Sequence, residues 1–495
     1  MADAPSIGTQ AVRGAGWTIV TGVGSRGLGL VGTIVLTYFL ARDVIGEVSD
    51  ASIVVLLANQ FSTIGIGNYL ISKPNAGRDV VWHATAFHLA LGVLAIGACV
   101  LLQRPLAVWM KAPTLGEYLP GLALSVMLDR IGFIPERLLA RSMRFRRIGI
   151  SRTVGELTYT SMSVGMAVLG FGGMAIVYAN VMRSVLRMIV AVTAVDRAEW
   201  LTPSRYSPAI LRAILRFGAP MSVGSSAELA SRRLDNLLVS SLWGADVVGV
   251  YNLAYNVADV PAVQVGEQIG DVLLPSFAKM DHAQQKAALV RSTGLLALVV
   301  FPLAVGLGAI APTVVRTLLK PTWYDVAPML TILSALSVTR PVGWTINSYL
   351  QARDATRSIM MLEIVKLIAI VVAIVTLGRI SPLWACGAVG VAFALHALAS
   401  LWVVYRLDGI PLTRTIGKVM PPLLACLPMV ALILGARYAL SAAGLEMRGV
   451  GLFVELVAGA IGYVVGALVI ARATSRDFLT LVGNALRGRR SRARS

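Results

Sequence analysis

Long stretches of apolar residues, separated by short polar segments, recur along the whole chain. Each stretch is about 20 residues long, the length at which an α-helix crosses the hydrocarbon core of a bilayer. The stretches are continuously apolar, whereas a membrane-spanning β-strand would alternate apolar and polar residues over about ten positions. The pattern therefore predicts an all-α integral membrane protein with about 14 transmembrane helices.

The predicted spans cover most of the chain, and the connections between them are too short to hold a separate catalytic domain. The spans are Gly14–Leu40, Val48–Ser72, Val80–Leu102, Leu115–Pro135, Gly149–Gly170, Gly173–Val195, Leu215–Leu242, Val247–Leu274, Ala288–Ala311, Val326–Leu350, Ser358–Leu377, Pro382–Tyr405, Ile416–Leu440 and Gly449–Ala471.

Two short motifs recur at corresponding places in the two halves of the chain. The sequence D-V-[IV]-G follows the first span at Asp43–Gly46 and the seventh at Asp246–Gly249, each with an alanine five residues beyond the glycine. A weaker echo pairs Leu139-Ala140-Arg141 with Gln351-Ala352-Arg353. Parallel repeats of this kind predict two six-helix lobes around a central cavity.

The repeat also predicts the domain boundaries. We expect a cytoplasmic N-terminus, an N-terminal lobe with helices 1–6, a C-terminal lobe with helices 7–12, two further helices, and a basic cytoplasmic tail. These segments cover residues 1–13, 14–200, 208–410, 415–473 and 474–495, respectively.

Charge agrees with this arrangement and sets the orientation. Only 14% of the 495 residues are charged, against the quarter or so of a soluble domain, and the net charge is +19. With a cytoplasmic N-terminus, 28 Lys and Arg residues fall on the cytoplasmic side and 8 on the outer side, as the positive-inside rule requires. The positive charge thus predicts contact with anionic membrane lipids rather than with nucleic acid.

The residues Gly27, Gly29 and Gly32 have the GxGxxG spacing of a dinucleotide-binding turn. That turn needs a preceding strand and a soluble βαβ unit, whereas these glycines lie inside an apolar span. We therefore expect the glycines to permit close helix packing or bending. Scattered cysteines and histidines and the lack of a GxxxxGK[ST] motif predict no metal, cofactor or ATP hydrolysis.

Three segments carry a resemblance to a known family: YFLARDVIGEVSDASI, PERLLARSMRFRRIGISRTVGE and NSYLQARDATRSIMMLEIVK. Together with the fourteen-span plan, they resemble the polysaccharide transporter (Wzx-type) flippases of the multidrug/oligosaccharidyl-lipid/polysaccharide exporter superfamily. The resemblance implies movement of undecaprenyl-pyrophosphate-linked sugar repeat units across a bacterial inner membrane. It also implies polysaccharide polymerases and glycosyltransferases as partners.

Arginines inside the predicted spans are the candidate substrate-binding residues. Arg26 lies near the middle of the first span, where an arginine costs about 2.5 to 3.5 kcal/mol and is a functional hypothesis by default. Guanidinium groups suit a pyrophosphate because each binds two oxygens at once. The resemblance implies this role for Arg26 and for Arg232 or Arg233 of the seventh span. Arg232 has an alternative role as an ion-pair partner of Glu228 and Asp235.

Other charged residues within the predicted spans are further candidates for binding the substrate or a coupling ion. Arg183 and Arg187 lie four residues apart on one helical face and either continue a cationic path or reach the inner headgroups. In the eighth span, Asp259, Glu267 and Asp271 share a face and, with Glu228, either balance the arginines, bind sugar, accept a coupling proton or line a solvated wall. Arg340 is expected to be unpaired, and Glu363 and Lys366 to pair with each other.

The favoured function is an alternating-access flippase for lipid-linked oligosaccharides, with no catalytic chemistry. On the same scaffold, the alternatives are a peptidoglycan-precursor flippase and a multidrug exporter, the latter disfavoured by a cavity rich in arginine. A membrane-embedded polysaccharide polymerase or ligase is the alternative from another class. Such an enzyme is expected to have larger outer loops with catalytic Arg or His.

Overall fold

The computed structural model describes residues 24, 27–72, 77–142, 144–278, 280–444 and 448–480. Side chains are described at all of these positions except 68, 71, 72, 145, 146, 220, 221, 224, 225, 228, 232, 260–272, 274, 275, 278 and 356. The described residues contain helices and no strand, which confirms the predicted all-α class.

The chain divides into two compact units, Met1–Asn252 and Leu253–Ser495. The helices that begin in the first unit are α1 (Gly27–Leu36), α2 (Arg42–Phe61), α3 (Ile66–Ser72), α4 (Arg78–Leu101), α5 (Gln103–Trp109), α6 (Leu115–Arg141), α7 (Phe145–Val168), α8 (Met174–Thr193), α9 (Arg197–Trp200), α10 (Pro208–Trp243) and α11 (Ala245–Ala278).

The second unit contains the later part of α11 and the remaining helices. These are α12 (His282–Leu318), α13 (Val326–Leu336), α14 (Arg340–Ala352), α15 (Thr356–Thr376), α16 (Pro382–Asp408), α17 (Leu412–Leu424), α18 (Cys426–Ala442), α19 (Arg448–Val469) and α20 (472–480). Short 3-10 helices at Pro321–Trp323 and Ser337–Thr339 flank α13. The predicted lobe boundaries remain predictions.

Every predicted span coincides with one helix or with two consecutive helices, and the described part of the first span is α1. Nine helical segments of the described ranges are both long and apolar enough to cross a membrane. Three predicted spans, the second, tenth and thirteenth, are each broken into two helices.

The break in the second span lies at a close approach of two backbones. Ile64 and Gly65 have φ angles of 41° and 57°, which end α2 before α3 begins. A Cβ on Gly65 would lie 2.5 Å from the carbonyl oxygen of Gly218 on α10. Glycine is therefore required here both by the left-handed conformation and by the space.

Prolines account for the other two breaks. Pro341 is at the start of α14, directly after the 3-10 helix Ser337–Thr339. Pro421 and Pro422 lie in the last turn of α17, just before α18 begins. A proline has no backbone N–H and clashes with the preceding turn, so it kinks or ends a helix that hydropathy alone marks as continuous.

Several helices also extend beyond the predicted spans. The helix α12 begins at His282, six residues before the predicted start, because Asp281 and Gln284 form a capping box. The backbone N–H of Gln284 donates to Asp281 Oδ1 at 2.8 Å, and the N–H of Asp281 donates to Gln284 Oε1 at 3.2 Å. Hydropathy marks the part of a helix in hydrocarbon, whereas a polar cap sets where the helix starts.

The two copies of the D-V-[IV]-G motif meet each other within the first unit. A Cβ on Gly46 would lie 1.8 Å from the carbonyl oxygen of Ala245, and one on Gly249 would lie 2.1 Å from that of Arg42. Beside this crossing, Arg42 Nε donates to Asp246 Oδ1 at 3.1 Å. The starts of α2 and α11 thus cross with their backbones in contact.

The helices α18 and α19 form a hairpin that is bound to α12 in the second unit. Arg437 donates to both oxygens of Glu455, at 2.8 and 2.9 Å, and to the carbonyl oxygen of Ala309 at 2.7 Å. The hydroxyl of Thr313 donates to Glu455 Oε1 at 2.7 Å. Glu455 is 2% exposed, so this carboxylate is buried with its cation and with both oxygens hydrogen-bonded.

Candidate substrate site

Arg183 and Arg187 share the face of α8 that packs on α7. A Cβ on Gly155 of α7 would lie 2.9 Å from Arg187 Cδ and 3.2 Å from Arg183 Cγ. The glycine therefore makes room for the stems of both arginines. The shared face predicted from the spacing of these residues is confirmed.

The two guanidinium groups keep donors that no described residue uses. Arg187 Nη1 is 3.7 Å from Asp129 Oδ1 and Nη2 is 3.6 Å from Glu136 Oε2, distances that mark ion pairs too long for hydrogen bonds. Glu136 also accepts from Arg152 at 3.3 Å. Within the described residues, the Nε atoms of Arg183 and Arg187 are buried without a hydrogen-bond partner.

Arg183 is oriented by its neighbours. Its Nη2 donates to Asn180 Oδ1 at 2.6 Å, and its guanidinium carbon lies 5.0 Å from the centre of the Tyr159 ring. Stacking on an aromatic face leaves the planar edge of a guanidinium free to bind an oxyanion. The pair thus presents two fixed cations between α6, α7 and α8.

The helix α1 packs against the same helix α7. A Cβ on Gly29 would lie 2.7 Å from Glu156 Oε1, and one on Gly32 would lie 2.8 Å from Thr160 Cγ2. This confirms the predicted packing role for Gly29 and Gly32, whereas a Cβ on Gly27 would meet no atom within 4 Å. Arg26 lies outside the described residues, so its predicted role stays a prediction.

Of the candidate substrate-site residues on α10, only some have side chains that the structure describes. The side chains of Glu228 and Arg232 lie outside the description, and Arg233 is half-buried. Asp235 is buried and accepts from the Tyr251 hydroxyl at 2.6 Å and from the backbone N–H of Asn236 at 2.9 Å.

In the second unit, Arg340 forms an ion pair with Asp259. The prediction that Arg340 is unpaired is wrong, because the fold brings the carboxylate of Asp259 to it from a distant part of the sequence. The guanidinium carbon lies 5.5 Å from the ring centre of Phe393, in a small pocket that Tyr255 also lines. The side chains of Glu267 and Asp271 lie outside the description, so the acidic stripe is untested.

The predicted pair of Glu363 and Lys366 is confirmed, with 2.5 Å between Glu363 Oε2 and Lys366 Nζ. His396 of α16 adds a third group, its Nε2 lying 3.8 Å from Glu363 Oε1. All three side chains are largely buried. They form a compact cluster separate from the arginine pair.

Sequence reasoning missed Arg130, the most enclosed arginine among the described residues. Arg130 is 2% exposed and donates to Asn59 Oδ1 and Ser62 Oγ, both at 2.7 Å, and to the carbonyl oxygen of His88 at 2.8 Å. These neutral acceptors belong to α4 and to the end of α2. Arg130 therefore joins three helices and has few donors left for a ligand.

Two of the histidines have structural roles and a third corrects a prediction. His83 Nε2 accepts from the backbone N–H of Ser207 at 2.8 Å, and His88 stacks on Phe133 with 4.6 Å between ring centres. His282 lies outside the predicted ninth span, in the connection before it, but it is the first residue of α12 and its Nε2 lies 3.0 Å from Asp408 Oδ1. The capping box of α12 accounts for this difference.

A family model described as polysaccharide biosynthesis protein matches residues 35–328, more than half of the chain. The chain belongs to this family. The lipopolysaccharide biosynthesis protein WzxC of Escherichia coli K12 is 26% identical over 388 residues, which cover 78% of each chain. The succinoglycan biosynthesis transport protein ExoT of Rhizobium meliloti is 25% identical over 506 residues and covers 99% of this chain and 98% of ExoT.

Among solved structures, the lipid II flippase MurJ in its inward closed conformation aligns with a TM-score of 0.76. The alignment covers 92% of this chain and 98% of MurJ at 12% identity, so it shows a shared fold. Family membership, apolar helices and this fold together make the chain a multi-pass membrane protein.

Proposed function

We propose that the chain is a flippase for undecaprenyl-pyrophosphate-linked oligosaccharide repeat units. It would move them across the bacterial inner membrane by alternating access, for the synthesis of exopolysaccharide, capsule or O-antigen. The polysaccharide family supports the substrate class, and the transport protein ExoT, similar over nearly its whole length, supports transport. The shared fold with the lipid II flippase MurJ supports the mechanism.

The observation that carries the proposal is the pair Arg183 and Arg187 on α8. A pyrophosphate is a multiply charged anion whose oxygens match the fork of a guanidinium. These two arginines lie four residues apart, and each keeps an Nε without a hydrogen-bond partner among the described residues. Two such cations on the wall between α7 and α8 would hold the headgroup, while the polyprenyl chain stays in lipid.

The other predicted residues have graded roles in this proposal. Arg26, Arg232 and Arg233 would add cationic contacts to the pyrophosphate. Arg340 would contribute less, because Asp259 is in direct contact with its guanidinium, whereas the carboxylates near Arg187 lie 3.6 and 3.7 Å away. The carboxylates of Glu228, Asp259, Glu267 and Asp271 would bind sugar hydroxyls or a coupling ion.

Both termini would be cytoplasmic, which the excess of basic residues in the even-to-odd connections supports. A polysaccharide polymerase and glycosyltransferases would be the functional partners, because they consume and supply the lipid-linked substrate. The protein itself would catalyse no covalent step.

The test is transbilayer movement of a fluorescent polyprenyl-pyrophosphate oligosaccharide in proteoliposomes. We expect Arg187→Ala to slow movement on the order of 10- to 100-fold, the effect of losing a hydrogen bond to a charged group. Arg187→Lys should recover only part of the rate, because an ammonium group binds as a point charge. Arg26→Ala is compared at equal incorporation.

Arg379→Ala is the matched control, because Arg379 is exposed after α15 and should leave the rate unchanged. Lipid II serves as the competing substrate. Faster movement of lipid II than of the oligosaccharide would assign the chain to peptidoglycan-precursor transport. Absence of movement for both substrates under every imposed ion gradient would overturn the flippase proposal and favour a membrane enzyme.

A further inference from the structure

Asp50 of α2 is a fully buried carboxyl group that the proposed transport site does not use. Its exposed fraction is 0%, and its Oδ2 is hydrogen-bonded to the hydroxyl of Ser240 near the end of α10. The same hydroxyl lies 2.9 Å from the carbonyl oxygen of Met110, in the connection between α5 and α6. Ser240 therefore contacts two oxygens, one on each side.

The contacts from Asp50 through Ser240 to Met110 need more hydrogen atoms than Ser240 alone can supply. A serine hydroxyl has one hydrogen, and a backbone carbonyl can only accept. If Ser240 donates its hydrogen to Met110, the hydrogen between Ser240 and Asp50 has to come from the carboxyl group. We propose that Asp50 carries a proton in this conformation and is a proton-binding site of the first unit.

The other oxygen of Asp50 supports the same assignment. Oδ1 is buried and has no hydrogen-bond partner among the described residues. In a protonated carboxyl group this atom is a neutral carbonyl oxygen, which is far less costly to bury than a carboxylate oxygen. An ionised Asp50 would instead be a fully buried anion that shares a single hydroxyl hydrogen with a carbonyl group.

The charged groups around Asp50 are already committed to other partners. Lys111 Nζ, in the connection beside Met110, donates to the carbonyl oxygen of Leu242 at 2.8 Å. Arg42, on the same helix as Asp50, pairs with Asp246 of α11. No salt bridge to Asp50 is formed by the part of the chain that the structure describes.

The acidic residues near Asp50 add negative charge to its surroundings and supply no positive charge that could pair with it. Glu47 lies one turn before Asp50 on α2 and is satisfied by Thr114, whose backbone N–H donates to its Oε2 at 2.8 Å. Asp43 on α2 and Glu117 on α6 face Glu47, and Asp235 on α10 accepts from Tyr251. Nearby negative charge disfavours a second ionised carboxyl group.

A proton held in this way couples conformation to pH. Any conformation that exposes Asp50 to water would give it the ordinary acidity of an aspartate, and the proton would leave. The present conformation would then bind one more proton than the exposed one, so acid favours it and rising pH favours the exposed one. Below the ordinary range of a carboxyl group both conformations hold the proton, and this dependence vanishes.

Infrared spectroscopy of the purified protein in lipid vesicles tests the proposal at neutral pH. A protonated carboxyl group has a C=O stretch well separated from that of a carboxylate. We expect the band in the wild type to disappear in Asp50→Asn and to persist in Glu47→Gln. An infrared spectrum identical in wild type and Asp50→Asn in this region would show that Asp50 is ionised and would overturn the proposal.

A second measurement serves if Asp50→Asn fails to fold. Wild-type protein labelled with ¹³C at the aspartate carboxyl carbon should shift the band, and Ser240→Ala should shift it again because it removes the hydrogen-bond partner. Absence of any isotope-sensitive acid band, or a band indifferent to Ser240→Ala, would contradict the assignment. Neither experiment depends on the transported substrate, so its result stands apart from that of the flippase assay.

Discussion

Glycine at position 46 is set by the backbone of another helix. The nearest atoms to a Cβ there are the carbonyl group of Ala245 and the backbone nitrogen of Gly249. Backbone atoms in a helix cannot rotate aside as a side chain can, so a methyl group would force the two helices apart. This close contact requires glycine at position 46, whereas helix propensity would favour a different residue.

We expect Gly46→Ala to lower the free energy of unfolding by about 1 to 3 kcal/mol, the usual cost of overpacking. Gly97→Ala is the control, because a methyl group added to Gly97 of α4 would meet no neighbouring atom within 4 Å, so alanine should be neutral or stabilising there. Thermal unfolding in detergent measures both. Equal melting temperatures for Gly46→Ala and Gly97→Ala would contradict the crossing.

Residue types and their spacing predicted contacts within one helix and missed contacts between residues that are distant in the sequence. The pairing of Glu363 with Lys366 follows from their spacing on one helix. The partner of Arg340 lies far along the chain, so only the fold brings it close. Arg130 is satisfied by amide, hydroxyl and backbone carbonyl oxygens, and a search for opposite charges passes over these acceptors.

At the scale of helices, the hairpin of α18 and α19 depends on one ion pair whose carboxylate is buried. Its members are Arg437 and Glu455, and Glu455 also reaches Thr313 of α12. Removing one partner of a buried pair leaves an uncompensated charge, whereas replacing both with apolar residues removes the cost of burying them. The double variant should therefore cost less stability than a single variant that leaves one charge unpaired.

We expect Arg437→Met to cost about 3 to 5 kcal/mol, because it leaves the buried Glu455 without its cation, and the double variant Arg437→Met with Glu455→Leu to cost far less. Thermal unfolding of the wild type, both single variants and the double variant gives the coupling energy directly. Additive losses in the double variant would mean that the pair does not hold the hairpin.

Hydropathy predicted the helices well and their interruptions poorly. A window of apolar residues reports burial in lipid, and it does not register the φ angle of Gly65 or the missing N–H of Pro341. The starts of α10 and α12 were placed too late for a similar reason. Polar caps and terminal prolines lie outside the apolar stretch that defines a span.

At the scale of the whole molecule, the asymmetry of basic residues predicts the orientation. We expect single cysteines at Thr202 and Thr413 to be protected from an impermeant thiol reagent added outside intact cells. Cysteines at Phe171 and Arg379 should react, because these exposed positions lie on the opposite side of the predicted topology.

This labelling uses a background in which Cys99, Cys386 and Cys426 are replaced by serine. Permeabilised cells provide the positive control for all four positions. Labelling of Thr202 and Phe171 variants from the same side would show that the number of spans between them is even, and the orientation would have to be redrawn.

The crossing of α2 and α11 also constrains how the two copies of the D-V-[IV]-G motif can change. Gly46 and Gly249 each occupy space that the other copy of the motif leaves free. A mutation to a larger residue in one copy cannot be tolerated without moving the other, so selection acts on the two copies together. An ancient duplication would therefore stay readable longest at this contact, where its two products touch.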